Sequence, residues 1–133
     1  MTDHRHRAVV AVVDDDQRIL ESIGVLLDSA DYDVRLFSTA TALLESRGFA
    51  EIDCLISDVA MPFMDGFELV RAVQAARPGL PVILVSGRPD LLQRLPHDWP
   101  ALYRVFKKPF NGPELLTAVA ETLRSPDQRP RRP

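Results

Sequence analysis

A single cysteine in 133 residues rules out an internal disulfide. That cysteine, Cys54, lies inside an apolar run and reads as a buried, inert thiol suited to a reducing compartment. No apolar run approaches the length of a membrane span. The N-terminus, Met1-Thr2-Asp3-His4-Arg5-His6-Arg7, has no apolar signal region, so the expected location is the cytoplasm. His4 and His6 are too close to a frayed end to be read as a metal pair. Three phosphate and nucleophile signatures are missing: a Gly-x-x-x-x-Gly-Lys loop, a paired-glycine dinucleotide turn and a Gly-x-Ser-x-Gly elbow. Common nucleotide-binding and hydrolase classes are thereby set aside.

A basic stripe is also lacking. The net charge of −3 conceals a division between the ends and the body. Residues 1–7 hold two Arg and one Asp, and residues 124–133 hold four Arg and one Asp. Removing these from 16 bases and 19 acids leaves 10 and 17, so residues 8–123 carry about −7. A body this acidic is a poor binder of duplex nucleic acid, and no nucleic-acid or membrane partner is expected through it. The three expected segments are a disordered 1–7, one folded domain over 8–124 and a Pro/Arg-rich solvated tail over 125–133. With 46% hydrophobic and 26% charged residues, the middle segment has enough chain for one core.

The hydrophobic pattern alternates strand with helix. Ala8–Val13 is a continuous β-branched run, as in a strand covered on both faces, and it ends in Asp14-Asp15-Asp16. Ile19, Leu20, Ile23, Leu26, Leu27 and Ala30 then recur at helical spacing. Val34–Phe37 makes a second strand with Arg35 facing out, and Ser38 or Thr39 caps a short helix ending near Gly48. A third strand through Cys54–Ile56 delivers Asp58 to its carboxyl end. Asp65 and Glu68 have capping-box spacing, and Phe67, Leu69, Val70, Val73 and Ala76 form the apolar face of the helix they start. Leu80–Val85 is the fourth strand, followed by Ser86-Gly87. Pro89, Pro96 and Pro100 shorten or break a fourth helix. Tyr103–Phe106 is the fifth strand, leading to Lys107-Lys108-Pro109-Phe110. A last helix starts at Asn111 and buries Leu115, Leu116, Val119 and Leu123.

Five strands alternating with helices predict an α/β fold with an open parallel sheet, in the flavodoxin-like order 2-1-3-4-5. In such sheets the site lies beyond the carboxyl ends of the strands. The polar residues that end the runs therefore converge: Asp14 and Asp15 from the first strand, Asp58 from the third, Ser86 from the fourth and Lys108 from the fifth. Two carboxylates about 4 Å apart repel by roughly 4 kcal/mol at an effective dielectric near 20. Such a cluster takes up protons or binds a cation, and oxygen ligands without nearby His or Cys favour Mg²⁺ over zinc. A hard cation beside a carboxylate and an ammonium suits phosphoryl transfer.

With these motifs in order, the chain resembles the receiver domain of two-component response regulators, the CheY-like family. The motifs are Val13-Asp14-Asp15-Asp16, Asp58-x-x-Met61-Pro62-x-Met64-Asp65-Gly66, Val85-Ser86-Gly87 and Lys108-Pro109-Phe110, and the likeness spans about residues 8–124. The resemblance implies that Asp58 is the phosphoacceptor and that Lys108 pairs with the phosphoryl group, with Ser86 as the switch hydroxyl. It implies Mg²⁺ held by Asp15, Asp58 and the main-chain carbonyl of Ala60, with Asp14 acting through water, and a cis Lys108–Pro109 bond. It further implies a histidine kinase as phosphoryl donor and a domain that catalyses only its own phosphorylation and dephosphorylation. A stand-alone receiver is expected, acting by partner docking or by passing phosphate to a second protein, with self-association left open.

Two departures stand against that pattern. Val105 occupies the place of the family's aromatic switch residue, with Tyr103 on the same strand face as a substitute or an ordinary packing residue. Pro89–Pro100 falls where the family has a full helix. They motivate the alternative of a phosphate-independent interaction module with the same fold. A Mg²⁺-dependent phosphatase similar to haloacid-dehalogenase enzymes fits less well, because its nucleophile follows the first strand and not the third.

Overall fold

The computed structural model describes residues 7–88, 90 and 102–124. Apart from Arg7 and Asp90, the expected disordered start with its histidines, the broken helix in Pro89–Pro100 and the tail 125–133 lie outside the described residues, as does the side chain of Tyr103. The strands are β1 (Val9–Val13), β2 (Asp33–Phe37), β3 (Cys54–Asp58), β4 (Val82–Ser86) and β5 (Leu102–Lys107). The described α-helices are α1 (Gln17–Ser29), α2 (Ala40–Leu44), α3 (Gly66–Ala76) and the C-terminal helix, α4 here (Gly112–Arg124). All strand pairs are parallel, in the order β2-β1-β3-β4-β5. The doubly wound order read from the sequence is the one observed.

Alternation along the strands divides the core between two faces. Val9, Ala11 and Val13 of β1, with Leu55, Val82 and Leu84, pack against Leu43 of α2 and Phe67, Leu69, Val70 and Val73 of α3. Val10 and Val12, with Cys54, Ile56, Ile83, Val85 and Phe106, pack against Leu20, Ile23 and Leu27 of α1 and Leu115, Ala118 and Val119 of α4. Truncating a fully buried leucine such as Leu55 to alanine costs about 2–5 kcal/mol by transfer and cavity terms.

Local chemistry sets the element ends. Asp16 caps α1 by accepting the Arg18 N–H at 2.9 Å, and Thr39 caps α2 by accepting the Ala42 N–H at 3.0 Å. Asp65 and Glu68 form the full reciprocal capping box on α3. Asn111 accepts the Glu114 N–H at 2.9 Å at the start of α4. Several expected bounds move. α2 ends at Leu44 instead of near Gly48, because Ser46 Oγ takes the Gly48 N–H at 3.1 Å and turns the chain into a 3-10 turn over Phe49–Glu51. β4 begins at Val82, since Pro81 has no N–H for the ladder. Ala30 and Ala76, assigned to apolar helix faces, are exposed at their helix ends. Leu116 and Leu123 are only half-buried, while Ala118 is buried. Arg35 is also half-buried, reaching Asp33 at 3.3 Å and Glu51 at 3.5 Å.

Candidate functional site

The register of the sheet puts four strand ends together. Val13 pairs with Ser57, Asp58 pairs with Val85, and Ser86 pairs with Lys107. The residues just beyond or at these ends are Asp14, Asp58, Ser86 and Lys108. The strand β3 extends two residues past its apolar run because Ser57 and Asp58 keep the ladder with β4. Ser57 is fully buried and donates its hydroxyl hydrogen bond to the Asp58 carbonyl at 2.9 Å. That carbonyl is also closely approached from α3: a Cβ at Gly66 would lie 2.6 Å from it and 2.8 Å from Val59 Cα. Only glycine lets the helix start this close to the strand end.

Lys108 is the centre of the cluster. Its Nζ donates to Asp14 Oδ2 at 2.9 Å and lies 3.2 Å from Asp58 Oδ1. Its own N–H continues the ladder to the Ser86 carbonyl at 2.8 Å, and the Lys108–Pro109 bond is cis, as the resemblance implied. Asp14 is buried, its other oxygen accepting the Asp16 N–H at 2.9 Å. Asp15 is exposed beside it. One carboxylate oxygen from each of Asp14, Asp15 and Asp58 lies within 4.8 Å of the other two. At that separation each pair of charges repels by about 3 kcal/mol at an effective dielectric of 20.

These charges tune one another. Burial pushes the Asp58 carboxyl up first, and repulsion from Asp14 and Asp15 adds to it; Lys108 pulls the other way, and the result is about 6. For Lys108, burial acts to lower the pKa, but its hydrogen bonds and charge contacts with Asp14 and Asp58 together hold it above the ordinary lysine value. An acidic cluster with one ammonium is under-neutralised.

The donor set fits a hard divalent cation. All three ligands are carboxylates, and oxygens bound to one Mg²⁺ lie at most about 4.2 Å apart at the usual bond lengths. The three oxygens lie within 4.8 Å of one another, close enough for small side-chain movements to gather them around one such ion. The raised Asp58 pKa is a second sign that a positive charge is wanted there.

Ser86 is fully buried at the end of β4, and its hydroxyl is engaged within its own loop: it accepts the Arg88 N–H at 2.9 Å and lies 3.3 Å from the Arg88 carbonyl. Arg88 in turn forks onto Asp90 at 3.1 and 3.3 Å. Ala60 lies exposed on the loop after Asp58. Val105 is half-buried against the core face formed with α2 and α3. Two features of the β3–α3 loop were not read from the sequence. One is the Gly66 approach, which needs the tertiary neighbour to be visible. The other is Phe63, which is 98% exposed with a φ of 71°. A large aromatic between Pro62 and Met64 in an otherwise turn-like stretch was its only sequence signal.

Residues 10–120 match the family model described as the response regulator receiver domain. The response regulator protein TmoT of Ectopseudomonas mendocina is 34% identical over 127 residues, covering 95% of this chain and 58% of its own. The transcriptional regulatory protein FixJ of Bradyrhizobium diazoefficiens is 30% identical over 115 residues, covering 86% of this chain and 56% of its own. The chain thus spans a little over half the length of these curated relatives. The signal receiver domain of an HD domain-containing protein from Pseudomonas fluorescens Pf-5 superposes with a TM-score of 0.80 at 29% identity, covering 90% of this chain and 96% of that one. Among the described residues no helix is long and apolar enough to cross a membrane. Sheet order, strand-end cluster and sequence likeness agree, and the chain belongs to the response regulator receiver domain family, the CheY-like receivers of two-component systems.

Proposed function

We propose that this domain is a phosphoacceptor switch in which Asp58 takes a phosphoryl group from the phosphohistidine of a sensor histidine kinase. The observation that carries this reading is the Lys108 bridge, with one ammonium 2.9 Å from Asp14 and 3.2 Å from Asp58 at the joint edge of three strands. Asp58 then has a cation at hand without being locked in a closed pair.

In the transfer an Asp58 carboxylate oxygen attacks phosphorus. The new O–P bond forms as the N–P bond breaks, and its electron pair returns to the imidazole nitrogen. No redox partner is needed. Without a cation Asp58 takes up its proton near pH 6, and a divalent cation beside it would favour the ionised, nucleophilic carboxylate. Lys108, held by Asp14, is placed to follow the negative charge from the carboxylate onto the phosphoryl oxygens. Mg²⁺ held by Asp15, Asp58 and the Ala60 carbonyl, with Asp14 reached through water, would offset the remaining charge.

Ser86 would exchange its resting contact with the Arg88 main chain for the phosphoryl oxygens, biasing two arrangements of the β4 end. Chemistry by the domain itself is confined to its own phosphorylation and dephosphorylation, and output follows from phosphorylation-dependent docking or onward phosphoryl transfer. Intact-mass measurement after incubation with Mg²⁺ and acetyl phosphate tests this. One phosphoryl adduct on the wild type and none on Asp58→Asn is expected; no adduct on the wild type, or an adduct on the variant, refutes it.

A further inference from the structure

The loop between β3 and α3 exposes a phenylalanine on a backbone that resists one. Phe63 is 98% exposed, more than Val25 or Leu36, the other large apolar side chains at the described surface. Its φ of 71° lies in the left-handed region, which glycine and asparagine enter readily and a bulky aromatic does not. The loop neighbours Met61 and Met64 pack against the core, whereas the Phe63 ring is turned outward. Both the solvated ring and the positive φ disfavour this arrangement; the one internal contact that holds the backbone is the Met64 N–H donating to the Pro62 carbonyl at 2.8 Å across Phe63, a tight turn that is itself strained. A strained, exposed residue of this kind points to a function outside the fold.

The position of the loop says where. Gly66 N–H donates to the Val59 carbonyl at 2.8 Å, so residues 60–65 form a closed loop anchored next to Asp58. At about 3.5 Å per residue, the tip of a six-residue closed loop lies within about 10 Å of its anchor. Asp58 itself is only 6% exposed. A protein that delivers a phosphoryl group to it has to cover this mouth, and covering the mouth brings the donor onto Phe63.

We propose that Phe63 is a docking residue for the protein that phosphorylates Asp58, its ring entering an apolar recess beside the donor's phosphohistidine. The left-handed backbone holds the ring outward before the donor arrives, which reduces the ordering needed on binding. The proposal rests on the reading of Asp58 as phosphoacceptor, and its test separates the two.

Phe63→Asn and Phe63→Gly both accept a positive φ and remove the ring; Phe63→Leu keeps an apolar side chain. Each is compared with wild type in phosphorylation by acetyl phosphate with Mg²⁺. Each is also compared in phosphotransfer from every purified, ATP-autophosphorylated histidine kinase core encoded by the source genome. For the kinase that labels wild type fastest, burial of one phenylalanine ring predicts a loss of about tenfold to a hundredfold in kcat/KM, taken mainly in KM. The Leu variant recovers part of it, labelling by acetyl phosphate stays within about twofold, and the Asn and Gly variants melt at or above the wild-type temperature. Kinase transfer retained within about twofold overturns the proposal. So does an equal loss with both donors, which places the ring's effect on the site itself, and so does labelling of wild type by acetyl phosphate but by no kinase. Failure of acetyl phosphate to label wild type overturns the phosphoacceptor reading instead.

Discussion

Replacing Asp58 by asparagine should make the metal-free protein more stable, and the gain should depend on pH in a defined way. In the fold the Asp58 carboxyl is raised from 3.8 to about 6, chiefly by burial and by the neighbouring Asp14 charge. Two pKa units and a fraction correspond to about 3 kcal/mol of differential interaction. Asp58 is only 6% exposed, so solvent screening removes little of this. A raised carboxyl binds its proton more tightly in the folded state than in the unfolded chain. Stability of the wild type therefore falls as pH rises from the unfolded value toward the folded one, and the full penalty is present above about pH 6. Asparagine keeps the size and removes the charge. Without divalent cations, Asp58→Asn should exceed wild type by about 3 kcal/mol near pH 8 and by about half that near pH 5, from urea unfolding at matched m-values. Added Mg²⁺ should stabilise wild type by mass action and narrow the gap, because the variant has lost one ligand. A variant no more stable than wild type near pH 8, or a gap that grows as pH falls, would refute the electrostatic account of the site.

Lys108→Met leaves Asp14 and Asp58 buried without their ammonium, so it should cost about 3–5 kcal/mol near neutral pH, less as Asp58 takes up a proton in acid; thermal melts at two pH values measure it. Gly66→Ala forces a Cβ onto the Asp58 carbonyl oxygen and Val59 Cα, and should lose about 1–3 kcal/mol in spite of alanine's better helix propensity, with slower labelling by acetyl phosphate as the strand end shifts. Asp65→Ala removes the reciprocal cap on α3 and should lower stability by about 1 kcal/mol without abolishing phosphorylation, as read by chemical denaturation and intact mass.

Much of the site was legible before any coordinates because it sits where patterns end. Runs such as Ala8–Val13 and Cys54–Ile56 are apolar on both faces, which marks parallel strands, and the first carboxylates after them are Asp14 and Asp58. Capping chemistry at Asp65-Glu68 and at Asn111 is local in sequence, so it too was readable. The bounds that moved did so through partners the sequence does not place side by side. Asp58 belongs to the ladder because Val85 pairs with it, and Ala76 is exposed as the last residue of α3.

The sequence by itself determined which residues reach the carboxyl edge: strand and helix periods are local, and right-handed crossovers leave one economical order for them. Tertiary structure alone decided how those residues act on one another. That Lys108 bridges Asp14 and Asp58 and that burial lifts Asp58 to about 6 are facts of distance and exposure between segments remote in the chain. Phe63 makes the same distinction within one loop. Its identity was in the sequence, but its left-handed backbone and exposed ring follow from a loop closed at Val59 and Gly66, and such a closure exists only in the folded chain.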